Sequence, residues 1–188
     1  MNGGGVVVNL WKDPSVTTIA GFNCGGGGTF SILNTGGYSG SQFMRGTVGA
    51  TCGSATAGPF FAGINIAPGK TYTASAYVRT SRSLSFRAII EWKLSDGGPL
   101  TGTSVAGNYV TTNDSSWVRV SSTGTAPANA GLATITVYGS MSAGDSVDVD
   151  AIMFTEGSTV YAYTDPTINS SWVWTGTANN STSSGPTP

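Results

Sequence analysis

Residues 68–98 read PGKTYTASAYVRTSRSLSFRAIIEWKLSDGG and contain two runs whose side chains alternate in character. The first run extends from Thr71 to Arg79 and the second from Leu84 to Leu94. Because successive side chains of a β-strand point to opposite sides, each run has one apolar and one polar face. The short polar segment between the runs predicts a β-hairpin, in which the two strands pair across a turn.

The two faces of these runs separate core residues from candidate ligand residues. We expect the core faces to be formed by Tyr72, Ala74, Ala76, Val78, Phe86, Ala88, Ile90 and Trp92. The opposite faces carry Tyr77 and Arg79 in the first run, and Arg87 and Glu91 in the second. A polar surface that combines aromatic, cationic and acidic side chains can hold a polar ligand.

Strand patterns continue along the chain, in the segments SSWVRVSSTGTAP, LATITVYGSM and SVDVDAIMFTEG. Only 9% of the 188 residues are charged and 28 are glycine, a composition typical of strands and turns. Helical periodicity is absent from the sequence. The chain is therefore predicted to be an all-β, antiparallel two-sheet sandwich with jelly-roll connections. Residues 1–165 should form one domain, followed by an extension, residues 166–188, that is partly linker-like in composition.

Charge and residue usage exclude several functions. A net charge of −1 excludes the basic footprint of a nucleic-acid-binding protein. The chain has no apolar run near the roughly 18 to 20 residues of a membrane span, and its start does not resemble a signal peptide. It has no histidine, which removes Ser-His-Asp triads and histidine-ligated metals. Cys24 and Cys52 lie in glycine-rich segments, and the sequence leaves open whether they form a disulfide.

Five segments in order resemble a known family: NLWKDPS, APGKTYTASAYVR, IIEWKLSDGG, SSWVRVSSTGTAPANA and VDVDAIMFTEGSTVYAYTD. Together they are similar to the carbohydrate-binding modules that are often appended to xylanases, which are β-jelly rolls of the galactose-binding-like type. The closing WVWTGTANNSTS is similar to the ends of such modules in minor tail proteins of phages that infect actinobacteria. The resemblance covers about residues 9–183.

The resemblance implies a virion tail or adhesion protein that binds host cell-surface polysaccharide and that assembles with other tail proteins. It also implies a structural calcium between the first and last strands, with Asp150 as a ligand in the last strand and Asp13, in the DPS turn, as a second candidate. Alternatively, Asp148 and Asp150 cap a turn or bond backbone amides. The family pattern usually has a glutamate where this chain has Thr17, and this departure weakens the expectation of a metal.

The candidate glycan-binding residues are Tyr77, Arg79, Arg87, Glu91 and Tyr138. Tyr77 and Arg87, on the outward faces of the hairpin, are expected to form one ligand surface with Tyr138, on a later strand that the resemblance places in the same sheet. Sugars stack their C–H faces on aromatic rings and pair their hydroxyl groups with such polar side chains. Alternatively, the arginines pair with acids on a solvated face and the tyrosines only cover the sheet. Trp92 and Trp117 fall at apolar or strand-end positions and are interpreted as core residues.

A catalytic role has no support in the sequence. Glu91 with Asp96 or Asp114 is a formal carboxylate pair, but no motif places two carboxylates across a cleft as glycoside hydrolysis requires. Two functions of different class remain. The first is a non-catalytic glycan-binding module, and the second is a structural spacer or a homo-oligomerising tail domain that binds no ligand.

Overall fold

A computed structural model of the chain describes residues 5–13, 21–23, 28–49 and 55–188, with only the backbone described at 21–23 and 55–62. Thr17, Cys24 and Cys52 therefore lie outside the described residues, and the predictions made for them stay predictions. Within the described ranges the regular elements are all β-strands, and none is an α-helix. The described residues therefore contain no helix long and apolar enough to cross a membrane.

Fourteen strands are described. They are β1 (Val6–Asn9), β2 (Gly21–Asn23), β3 (Gly28–Leu33), β4 (Phe43–Val48), β5 (Ala55–Asn65), β6 (Thr71–Thr80), β7 (Leu84–Lys93), β8 (Val105–Ala106), β9 (Val110–Thr112), β10 (Val118–Thr125), β11 (Leu132–Met141), β12 (Ser146–Glu156), β13 (Val173–Trp174) and β14 (Ser183–Pro186).

Two antiparallel sheets face each other. One has five strands in the order β10-β6-β12-β4-β3. The other has six strands, with the path β2-β5-β11-β7-β8 and β9 paired to the far end of β7. Neighbouring strands in each sheet are mostly distant in sequence, as jelly-roll connections require. The predicted all-β sandwich is confirmed.

The core lies between the two sheets and is built from the alternating positions that the sequence indicates. The residues predicted for the core faces of β6 and β7 all have exposed fractions of 2% or less. Tyr72 of β6 reaches across to Trp92 of β7, with 6.1 Å between ring centroids, and stacks on Phe154 of β12 at 5.3 Å. The alternation therefore identifies correctly which side of each strand is buried.

The partner of β6 is where the sequence-based interpretation was wrong. A hairpin of β6 and β7 was expected, but β6 pairs with β10 and β12, whereas β7 pairs with β8, β9 and β11. Residues 81–83 carry the chain from one sheet to the other, so that the apolar faces of β6 and β7 pack against each other. Alternation defines the faces of a strand and not its hydrogen-bonded neighbour.

A third, smaller sheet joins the two ends of the chain, in the order β1-β14-β13. Val7 of β1 and Trp172, just before β13, are 5% and 2% exposed and form a second small core with Met153 of β12 and Tyr163. Ser183–Pro186 pairs along the whole of β1. This part of the extension is therefore folded onto the domain, in contrast to its linker-like composition.

Candidate ligand-binding surface

Tyr109, Arg87 and Tyr138 form a row of side chains, the arginine row, across the outer face of the six-stranded sheet. Arg87 on β7 lies directly opposite Tyr138 on β11, and Tyr109 immediately precedes β9, whose Val110 lies opposite Phe86 on the other side of β7. The Cζ atom of Arg87 is 4.5 Å from the ring centroid of Tyr109 and 5.4 Å from that of Tyr138. Cation–π attraction to two rings holds the guanidinium in place.

Arg87 differs from the other arginines of the chain in its polar contacts. Arg45 and Arg79 bond to Asp148, Arg82 bonds to Asp145, and Arg119 donates to Ser75. In the part of the chain that the structure describes, the guanidinium of Arg87 makes no hydrogen bond or ion pair, and its Nε atom is buried without an acceptor. Its charge therefore stays available to a ligand.

The surface around this row is rich in hydroxyl groups. An open depression beside Tyr109 is lined by Arg82, Leu84, Met141 and four serines, namely Ser83, Ser85, Ser140 and Ser142. In the other direction along β7, Glu91 lies opposite Thr134, and its carboxylate is 3.7 Å from the amine of Lys93. Serine hydroxyls and a carboxylate are suitable partners for the hydroxyl groups of a sugar chain.

Tyr77 and Arg79 lie on the outer face of the other sheet, so the five candidate residues do not form one surface. β6 belongs to the five-stranded sheet, whereas β7 and β11 pair in the six-stranded sheet. The prediction that Tyr77 shares a ligand surface with Arg87 and Tyr138 is therefore wrong. Its cause is the hairpin assumed between β6 and β7.

Arg79 is part of an ion network built around a buried carboxylate. Asp148 is 2% exposed and accepts hydrogen bonds from Arg45 Nε at 2.6 Å and Arg79 Nε at 3.0 Å. The Arg79 guanidinium also lies 4.6 Å from the ring of Trp117 and 5.1 Å from that of Phe43. A cation with these contacts stabilises the sheet, which is the alternative reading that the sequence left open for Arg79.

Tyr77 is likewise held by its neighbours on the five-stranded sheet. Its ring stacks on Tyr38 at 3.5 Å between centroids, and the guanidinium of Arg119 lies 5.7 Å from it. Arg119 donates to the carbonyl oxygen of Tyr161, in the chain that continues from β12. Burial lowers the pKa of Arg119 from its ordinary value. Tyr77 also packs against the second small core, which contains Trp172, so this face is a packed junction with the C-terminal extension.

The tryptophans occupy different environments. Trp92 is 1% exposed and lies in the main core, as predicted. Trp117 is half-buried and packs edge-on against Phe43 at 5.5 Å, outside the main core that was expected for it. Trp172 is 2% exposed and belongs to the second small core.

Asp150 and Asp13, the expected calcium ligands, have other contacts. The carboxylate oxygens of Asp150 accept backbone N–H bonds from Ser39 at 2.9 Å and Ala151 at 2.6 Å. Asp13 is 7% exposed, and its carbonyl oxygen accepts the indole N–H of Trp11 at 2.6 Å. Among the described residues, no three carboxylates or cysteines gather where they could hold a metal. The structural calcium stays a prediction.

Burial raises the pKa of Asp150 to about 6, a shift that the backbone N–H groups oppose and the negative charge of Asp165 increases. Asp165 itself is fully buried and is bonded by Tyr163 and by Thr167 of the C-terminal extension. Asp150 thus lies beneath the junction between the sandwich and the extension.

Tyr109 is the residue of the arginine row that the sequence-based interpretation missed. Its side chain is 53% exposed. The same alternation rule would have placed it: Val110 and Thr112 face inward at the start of β9, so Tyr109 and Thr111 face outward. The pairing of β9 with β7, which brings Tyr109 to Arg87, has no signal in the sequence.

Comparison with known proteins places the fold among carbohydrate-binding modules. No family model and no curated protein sequence matches the chain. The CBM22-1 xylan-binding domain of Paenibacillus barcinonensis Xyn10C superposes with a TM-score of 0.59 at 14% identity over 85% of this chain and 99% of that domain. The C-terminal family 22 module of Clostridium thermocellum Xyn10B gives 0.60 at 16% identity, over 86% and 98%.

A third solved structure comes from a virus. The enzymatically active domain of tailspike protein 4 of bacteriophage CBA120 matches with a TM-score of 0.52 and 14% identity, over 73% of this chain but only 19% of that one. At these identities the comparisons show a shared fold, and the chain is a jelly-roll sandwich of the type found in carbohydrate-binding modules.

Proposed function

We propose that this chain is a non-catalytic glycan-binding module and that its ligand lies on the outer face of the six-stranded sheet, along the row Tyr138, Arg87 and Tyr109. The observation that carries the proposal is the guanidinium of Arg87, held between two tyrosine rings with no acceptor in the described part of the chain. Exposed aromatic rings beside fixed hydrogen-bond donors match the C–H faces and hydroxyl groups of a sugar.

The neighbours in the fold support a saccharide over other polar ligands. The modules from Paenibacillus barcinonensis and Clostridium thermocellum are a xylan-binding domain and a carbohydrate-binding module whose cleft residues take part in ligand binding. Fold alone does not determine a function, and the arginine row is the feature of this chain that indicates a ligand. Glu91, further along β7, would extend the contacts to a second sugar unit.

The absence of a catalytic motif supports binding without hydrolysis. The acids of the described residues are mostly paired or in turns: Asp145 and Asp148 bond to arginines, Asp96 caps its own turn, and Glu91 lies beside Lys93. Glycoside hydrolysis needs two carboxyl groups about 5 to 10 Å apart across the bound sugar, and no sequence motif places a second acid opposite Glu91 in this way.

A role in a phage tail is the setting we propose for this binding. It is supported by the resemblance of the closing WVWTGTANNSTS segment to minor tail proteins and by the shared fold with a tailspike domain. The module would then attach the virion to host cell-surface polysaccharide, with other tail proteins as its neighbours.

The second candidate is a structural spacer or oligomerising tail domain. One observation favours it: Val6 and Val173, on the small sheet that joins the chain ends, are 75% and 59% exposed. Such exposed apolar side chains suit contact with another chain. Sedimentation of the purified protein would test this candidate, since a stable oligomer that binds no glycan supports it and a glycan-binding monomer contradicts it.

A glycan array probed with the purified protein tests the main proposal. We expect the wild-type protein to bind a limited set of polysaccharides, and Arg87→Ala to bind them at least about ten-fold more weakly, as the loss of about 1.4 kcal/mol implies. The matched control is Arg45→Ala, which removes an arginine from the outer face of the other sheet. Unchanged glycan binding by Arg87→Ala would remove the arginine row from the proposal.

A further inference from the structure

The charge of Arg87 is not compensated by the protein around it. Arg87 lies between tyrosines, and the depression beyond Tyr109 is lined by serines and by Arg82, whose own charge is paired with Asp145 at 2.7 Å. The first acid along the strand is Glu91, four residues away, which is about 13 Å at the rise of a β-strand. This distance exceeds the Debye length of about 8 Å at physiological ionic strength, so Glu91 does not compensate the charge of Arg87. The row thus presents one net positive charge.

The geometry also determines which atoms of Arg87 can meet a ligand. Nε is buried between the rings, whereas Nη1 and Nη2 are not among the buried, unpartnered atoms. The two terminal nitrogens therefore keep contact with solvent while the rings limit the rotation of the side chain. An arginine fixed with its terminal donors outward is suited to two parallel hydrogen bonds with an oxyanion.

A bound glycan would displace water from this surface and leave the cation to be compensated by the ligand. Removing water from an unpaired charge is costly, and hydrogen bonds to a charged acceptor are roughly twice as strong as those to a neutral one. A neutral sugar hydroxyl would leave the charge uncompensated, whereas an anionic group on the sugar would compensate it.

We propose, on the basis of the glycan-binding function above, that the ligand of this surface is an acidic glycan whose oxyanion is held by Arg87 beside the rings of Tyr109 and Tyr138. The oxyanion belongs to a sugar carboxylate or to a phosphodiester between sugar units. Both offer two oxygens at the spacing of the guanidinium donors.

Isothermal titration calorimetry with three probes tests this inference: neutral xylohexaose, an oligogalacturonate of six units, and a poly(glycerol phosphate). We expect one of the two acidic probes to bind at least ten-fold more tightly than xylohexaose. This preference should decrease when the salt concentration is raised from 50 to 500 mM, because the Debye length then falls from about 14 Å to about 4 Å. The acidic probe that binds identifies a carboxylate or a phosphodiester ligand.

Two variants distinguish a specific contact of Arg87 with the acidic group from a general effect of the protein's positive charges. Arg87→Gln should abolish the preference for the acidic probe, whereas Lys70→Gln, which removes a cation paired with Glu156 at an exposed site, should keep it. Equal affinity for xylohexaose and both acidic probes, or a preference that survives in Arg87→Gln, would overturn the acidic ligand and leave glycan binding in place. If the wild-type protein binds none of these probes and nothing on a glycan array, the proposed function itself fails.

Discussion

Asn9 and Phe154 are 145 residues apart, and the Oδ1 atom of Asn9 accepts the backbone N–H of Phe154 at 2.9 Å. The Nδ2 atom of the same side chain donates to the carbonyl oxygen of Ile152 at 3.0 Å. Nearby, β12 leaves its regular register with β6 between Asp150 and Met153, and Ala151 adopts a φ of 54°. A fully buried amide therefore satisfies the backbone groups that this irregularity frees and joins the first strand of the chain to β12.

Asn9→Ala should lower the free energy of unfolding by about 2 to 4 kcal/mol, because it leaves a buried N–H and a buried carbonyl without partners. Urea denaturation measures the loss. The matched control is Asn113→Ala, which removes an exposed amide whose Oδ1 accepts bonds from Ser115 and Ser116 and should cost about 1 kcal/mol or less. Equal losses in the two variants would contradict the role assigned to Asn9.

Asp150 should make the protein more stable as the pH falls from 7 to 4. Its pKa is about 6 in the folded state, against an ordinary value of 3.8, so between these values the folded state holds more protons than the unfolded state. Lowering the pH through this window therefore favours the folded state, by up to about 3 kcal/mol for a shift of this size. Denaturation midpoints measured from pH 4 to 8 should show the rise.

The variant Asp150→Asn isolates this effect from the other carboxyl groups. The pKa of Asp145 is lowered chiefly by its hydrogen bond to Arg82. Its contribution to the free energy of unfolding is therefore present above its ordinary pKa and is lost as the pH falls further, which is opposite to the effect of Asp150. The difference between wild-type and Asp150→Asn profiles should slope between pH 4 and 6 and be flat above 7. Parallel profiles would show that Asp150 titrates normally.

Gly185→Ala should loosen the strand that ties the C-terminus to the domain. A Cβ atom at Gly185 would lie 2.3 to 2.5 Å from ring atoms of Trp172, whose indole N–H donates to the carbonyl oxygen of Pro186. Forcing a methyl group into this packing should cost roughly 1 to 3 kcal/mol and expose Trp172, which a red shift of tryptophan fluorescence would report. In the control Gly5→Ala, just before β1, the new Cβ meets only Thr187 Oγ1 among the described residues, at 4.0 Å, and no shift is expected.

The sequence predicts the faces of the strands better than their neighbours. Period-two alternation places Tyr72 and Trp92 inside and Arg87 and Tyr138 outside because burial acts on each strand separately. The pairing of strands depends on which apolar faces meet across the whole domain. The alternation of β6 and β7 is equally compatible with a hairpin within one sheet and with a β-arch, in which the two strands lie in opposite sheets. Only the arch lets their apolar faces pack together.

The candidate site could be predicted in part for the same reason. Arg87 and Tyr138 were identified as outward residues, and the structure makes them cross-strand neighbours. The contacts that fix Tyr77 come from Tyr38 and Arg119, which are far from it in sequence and follow no periodic pattern. Long-range side-chain contacts of this kind decide whether an outward residue meets a ligand or another part of the chain.

The two outer faces can be told apart by truncating one tyrosine on each. Tyr109 is 53% exposed and contacts the guanidinium of Arg87 without a stacked aromatic partner in the described residues, so Tyr109→Ala should change the melting temperature little. Loss of a ring that stacks on a sugar should cost about 1 to 2 kcal/mol, or roughly ten-fold in the dissociation constant. Binding to the polysaccharide selected on the array measures the change.

Tyr77→Ala, the matched control, should give the reverse result. Its ring is stacked on Tyr38 at 3.5 Å and lies beneath Arg119, so truncation removes packing at the junction with the C-terminal extension and should lower stability by about 2 kcal/mol or more. At a temperature where the variant stays folded, its glycan affinity should equal that of the wild type, because Tyr77 is on the other sheet. If Tyr77→Ala weakens binding while Tyr109→Ala does not, the ligand lies on the five-stranded sheet, and the contacts of Arg79 and Arg119 would have to rearrange to admit it.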